Sequence, residues 1–198
     1  MSTFIFADSG AVIPVQPAPV KAYGDINFGD SKEVVEKKVL KNPKIEVSPY
    51  LTFSVFFMAD INIPVGRDTY SFSMDFDFFN DQLYQVTISS PDRTASYFDS
   101  DVKAFRDKLV EIVESQYGAP SWTKDLSFSD IDPGYIWWSH RWLPNDLGQE
   151  KEINIGFREY KYEYSAMMYI EYPPLVEAKN QAETEAERKA TEKASGNF

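Results

Sequence analysis

The chain has no cysteine. Disulfides, thiol nucleophiles and cysteine-held metals are therefore excluded, and the composition suits a reducing compartment. Histidine occurs once, at His140, so a multi-histidine metal site is impossible. A lone imidazole needs an orienting acid and a substrate pocket to act as a base, and none is visible around it, so a structural role is expected. No window approaches the ~18 apolar residues of a membrane span. The N-terminal stretch "MSTFIFADSG" has neither the basic opening nor the long apolar run of a secretion signal. The expected location is the cytoplasm, without membrane contact. There is no G-x-x-x-x-G-K-[ST] loop, no G-x-G-x-x-G and no G-x-S-x-G elbow, so nucleotide binding and serine-hydrolase chemistry lack a motif, and no cofactor is expected. Basic residues are also in deficit, 20 Lys and Arg against 31 Asp and Glu, for a net charge of −11. Such a surface repels phosphate, which disfavours nucleic acid and anionic membranes as partners.

What the chain does have is aromatic weight: 15 Phe, 12 Tyr and 4 Trp among 198 residues. Aromatic side chains suit a pleated, half-buried surface, and this length can bury a core without staples. Residues 1–24, with Pro14, Pro17 and Pro19, read as an extended arm that includes a short strand at Thr3–Ala7. "FGDSKEVVEKKVLKNP" reads as a helix, capped by Asp30 or Ser31 and stopped at Asn42–Pro43. "LTFSVFFMADINI" (51–63) alternates apolar and polar residues as one long strand, followed by strands at 69–79 and 83–89. "SDVKAFRDKLVEIVESQYGAP" is the clearest helix, with Ser100 or Asp99 as cap and Gly118 past its end. Strands are expected at 134–142, 151–157 and 164–172.

The order helix, strand, strand, strand thus occurs twice. The predicted class is α+β: two α-β-β-β units, 25–98 and 99–175, share one core, with antiparallel meanders packed against helices. A charged helical tail, 176–198, carries Ala178, Ala182, Ala186 and Ala190 at spacing four; it reads as a solvated helix or a frayed end.

Three stretches carry candidate chemistry. In "SFSMDFDFFNDQ", Asp75 and Asp77 point to the same side of a strand, as a Mg²⁺-binding pair would. The same alternation puts Ser71, Ser73, Asp75 and Asp77 opposite five large apolar residues, so the plain reading is the wet side of a sheet. "GYIWWSHRW" concentrates Trp, Tyr and Arg, the types enriched at interface hot spots. Strict alternation would set Tyr135, Trp137 and Arg141 on one side and Trp138, His140 and Trp142 on the other, one side core and one side binding. "REYKYEY" adds Tyr160 and Tyr162 beside charged neighbours. The expected function is a non-enzymatic protein that binds a partner protein through an aromatic strand surface made of Tyr135, Trp137, Trp138, Arg141, Trp142, Tyr160 and Tyr162. Two alternatives are an acidic inhibitor that occupies the basic nucleic-acid-binding groove of an enzyme, and a metal-dependent hydrolase that uses Asp75 and Asp77.

Overall fold

The computed structural model describes residues 4–6, 12–14, 19–53 and 56–195. Strands β1 (Phe4–Phe6) and β2 (Val12–Pro14) pair as a small antiparallel hairpin. Of the expected arm over residues 1–24, positions 1–3, 7–11 and 15–18 lie outside the described residues. A second hairpin, β3 (Lys21–Tyr23) and β4 (Ile26–Asn27), places Ala22, Ile26 and Phe28 in the core.

Helix α1 (Lys32–Lys41) begins where its residues ask it to. Ser31 Oγ accepts from the Val34 amide at 3.4 Å, Glu33 lies in the first turn, and Lys38 and Lys41 lie in the last. Val35 and Val39 form its buried stripe. Then come β5 (Ile45–Phe53), β6 (Phe56–Val65), β7 (Asp68–Phe79), β8 (Gln82–Ser89) and the two-residue β9 (Arg93–Thr94). The expected single strand over 51–63 is really the end of β5 and most of β6. Phe53 of β5 stands opposite Phe56 of β6 in antiparallel pairing, and positions 54 and 55 of that stretch lie outside the described residues.

Helix α2 (Lys103–Tyr117) is preceded by a short 3-10 turn and one wide π-turn over Phe98–Val102. No side chain caps α2, so the expected Ser100 or Asp99 cap is replaced by the continuing turn. Gly118 ends the helix at φ 79°, a conformation that favours glycine. The chain continues through β10 (Trp122–Thr123), β11 (Ile136–Trp142), the short α3 (Pro144–Leu147), β12 (Glu152–Tyr160), β13 (Glu163–Glu171) and α4 (Pro173–Ser195).

The strands form one nine-stranded antiparallel sheet, ordered β10-β11-β12-β13-β8-β7-β6-β5, with β9 also against β13. Each half is a helix followed by a meander, and the last strands of the two meanders meet in the middle, with Met168 opposite Ile88. The two final hairpins also turn alike, through consecutive left-handed residues: Asn80–Asp81 between β7 and β8, and Lys161–Tyr162 between β12 and β13.

One face of the sheet carries the core. Phe72, Met74 and Phe76 from β7, Ile88 from β8, and Ile155 and Phe157 from β12 are essentially sealed from solvent. Phe105 of α2 packs edge-on against Tyr70 and Phe72, with ring centroids 4.8 and 5.6 Å apart. The opposite face holds the other half of each alternation, and α4 leans over one end of it.

Candidate functional site

β11 does not alternate strictly. Trp138 pairs with Gly156 and His140 with Ile155, so Ser139 is an extra residue, a β-bulge. The bulge changes the phase of everything after it. Trp137, His140 and Trp142 lie on the core face, and Trp138 and Arg141 lie together on the opposite face. This corrects the expected grouping of Trp137 with Arg141 and of Trp138 with Trp142. Gly156 is required there. A Cβ on it would stand 2.1 Å from the Trp137 carbonyl oxygen and 2.8 Å from the Trp138 Cα.

The structure separates the expected site residues into four groups. Trp142 is in the core at 0% exposure, with its indole N–H donating to the Gly118 carbonyl at 2.9 Å. It is a packing residue, not a contact surface. Trp137 packs partly buried against the core beneath Lys124, 5.5 Å from its ring. Tyr135, Tyr160 and Tyr162 are exposed near the β12–β13 turn; Lys161 lies 4.9 Å over the Tyr160 ring. Trp138 and Arg141 belong with the acids.

Register across the sheet assembles that acidic face row by row. Trp138, Gly156, Met167, Ser89, Ser73, Asp60 and Glu46 form one row. Arg141, Asn154, Tyr169, Thr87, Asp75 and Met58 form the next. Glu152, Glu171, Gln85 and Asp77 follow. Trp138 meets Tyr169 edge to face at 5.0 Å. Arg141 donates to Asn154 Oδ1 at 2.8 Å and lies 3.5 Å from Glu152, while Asn154 donates to Glu171 at 3.2 Å. Gln85 donates to Asp77 at 3.3 Å and to Thr87 at 3.0 Å. Lys179 of α4 stands 5.9 Å over the Tyr84 ring at the same end.

Asp75 and Asp77 do share a face, away from the core, as alternation predicts. They are half-buried rather than fully wet. Burial, then the neighbouring Asp77 charge, pushes the Asp75 carboxyl up to about 6, against the opposing pull of Arg158. Asp77, Asp60 and Glu171 are also raised, each mainly by burial. Among the described residues, no group of three or more acidic or histidine side chains is arranged to hold a metal ion.

His140 sits half-buried against Trp142, with ring centroids 6.3 Å apart. Its Nδ1 is 2.8 Å from Ser139 Oγ, and that hydroxyl donates to the Ile155 carbonyl at 3.1 Å. Ser139 is fully buried, so the pair is a hydrogen-bonded bulge and offers no accessible nucleophile. Burial holds the imidazole below its ordinary value.

The sequence pointed to Trp138, Arg141, Asp75 and Asp77 in separate stretches; Asp60, Tyr169, Asn154 and Glu171 complete the face and had no motif to mark them. Alternation along β6, β12 and β13 was the available signal. No helix of the described residues is long and apolar enough to cross a membrane. A scan against protein-family models, a search of curated proteins and a search of solved structures each find no significant match to this chain.

Proposed function

We propose that the chain is a non-enzymatic binding protein that docks the basic surface of a partner protein on the acidic face of its sheet, with Trp138 and Tyr169 as aromatic anchors. One observation carries this reading: half-buried carboxylates of Asp60, Asp75, Asp77 and Glu171 share a face with residue types that anchor interfaces, and among the described residues Arg141, Arg158 and Lys179 are the positive charges that act on them. A partner's Lys or Arg side chains would supply the missing charge, and charge-assisted hydrogen bonds to half-desolvated carboxylates are the strong kind. Tyr135, Tyr160 and Tyr162 extend the contact at one end of the sheet.

The same acids favour a second reading, in which the partner is an enzyme whose basic groove normally holds nucleic acid. The two readings share a surface and differ in the partner. Affinity capture from source cells at low and high salt, followed by mass spectrometry, tests both. A single stoichiometric partner, released by salt and lost in Trp138→Ala and in an Asp75→Asn, Asp77→Asn double variant, supports docking on this face. Competition between that partner's nucleic acid and this protein selects the inhibitor reading. Capture that ignores both salt and these substitutions sinks the proposal.

A further inference from the structure

Lys151 stands at the start of β12 and is 2% exposed. Its ammonium donates to the Lys21 carbonyl at 3.0 Å and to the Tyr117 hydroxyl at 2.9 Å, and it lies 4.9 Å over the same tyrosine's ring. Both oxygens are neutral. Among the described residues no carboxylate forms an ion pair with it. Tyr117 is the last residue of α2, so the negative end of the helix dipole lies nearby, but this amounts to only about half a charge. Buried ammonium groups are normally paired.

This lysine forms part of the wall of a cavity of about 310 Å³ between β3, the last turns of α2, and strands β12 and β13. The remaining wall is largely apolar: Tyr23, Ile112, Val113, Ile153, Met168 and Ile170, with the exposed Lys21 and with Gln116 and Gln149 adding polar groups. A second cleft of about 190 Å³ shares Tyr23, Ile112 and Met168 and continues over Ile61, Ile63 and Ile88. One buried cation in a mostly apolar slot is the pattern of a small-ligand site, where a few polar groups fix orientation and the walls supply affinity.

We propose that this cavity binds a small amphipathic carboxylate, with the carboxylate on Lys151 and the Tyr117 hydroxyl and the hydrocarbon chain along Ile112, Ile153, Met168 and Ile170. The site lies on the face of the sheet that carries α2, opposite the acidic face, and does not depend on the docking reading. The two clefts share Tyr23, Ile112 and Met168 in their walls, so an unbranched chain can run from one into the other. The carboxylate completes the charge that the fold leaves unbalanced, and the chain displaces water from an apolar wall.

The test is a titration of the full chain with sodium octanoate, followed through the methyl resonances of Ile112, Ile153, Met168 and Ile170, with 1-octanol as the uncharged control. Saturable octanoate shifts at these methyls, with octanol and the Lys151→Met variant at least about tenfold weaker, support the site. Ile112 is 40% exposed at the rim, so Ile112→Trp narrows the entrance while Lys151 stays in place; this variant must lose octanoate binding even where Lys151→Met fails to fold. Absence of saturable shifts, equal binding of octanol, or unchanged binding in Ile112→Trp would overturn the proposal.

Discussion

Replacing Asp75 with asparagine should stabilise the protein, and only at neutral pH. Asp75 sits on β7 between Met58 and Thr87, half-buried, with Asp77 two residues away on the same side. Its carboxyl is raised from 3.8 to about 6, first by burial and then by Asp77. The native state therefore holds this proton more tightly than the unfolded chain does. Below the unfolded value both states are protonated and the carboxyl costs nothing. As pH rises through the folded value, the native state acquires a charge that the unfolded chain carries more easily, and stability falls. A shift of ~2 pH units corresponds to ~3 kcal/mol; because the group still meets solvent, the effective penalty is nearer ~1–1.5 kcal/mol. Asparagine keeps the shape and removes the charge. Urea denaturation should then show Asp75→Asn more stable than the natural chain by about that amount at pH 7, with the gap closing near pH 4. Equal or lower stability of the variant at pH 7, or a gap that does not change with pH, would refute the reasoning. Asp60, Asp77 and Glu171 are raised in the same direction, so together they make the acidic face most costly where it is most charged.

Three further outcomes follow from the packing. Gly156→Ala should destabilise the fold by at least ~3 kcal/mol, because its Cβ would meet the Trp137 carbonyl at 2.1 Å and push β11 from β12; thermal unfolding reads this directly. Trp142→Ala should cost ~3–5 kcal/mol in urea denaturation, whereas Tyr162→Ala, at an 85% exposed position, should change stability by less than ~0.5 kcal/mol. Removing residues 181–198 should leave stability within ~0.5 kcal/mol, and in the intact chain the amides of 182–194 should exchange far faster than those of β12, since no side chain there is buried.

Much of this architecture was legible in the residues. The alternation over 69–79 is clean because one side of β7 packs on the core and the other does not; of the apolar stripe that helical spacing sets at Val102, Phe105, Leu109, Ile112 and Val113, all are buried except Ile112, which lies at the surface. Two features escaped period counting. No glycine, proline or asparagine occurs at positions 54 and 55, so period counting joins the end of β5 to β6 in one run. The extra residue at Ser139 is invisible to a two-residue period; it is set by how β11 meets Gly156 across the sheet. The site was harder to read than the fold for the same reason. Trp137, Trp138 and Trp142 are alike as letters, and only the bulge decides which of them faces the core. Lys151 reads as an ordinary charge after "GQE", and its burial comes from β3 and α2 closing over the start of β12. The tail was correctly helical, and its charges are explained by local pairs such as Lys179–Glu183 and Arg188–Glu185, at 2.9 and 2.8 Å.

The junction of β8 with β13 has a consequence for assembly. Each half closes its own meander through short-range contacts, while the junction joins residues far apart in sequence, such as Ile88 and Met168. Loop-closure cost favours early formation of the halves and late closure of the junction. Until it closes, each half presents its final strand as an unpaired ladder of amides and carbonyls. Antiparallel pairing also lets such a strand join a copy of itself, so a half released by cleavage near residue 91 carries the means to make a symmetric pair, two copies meeting strand to strand where the intact chain meets itself.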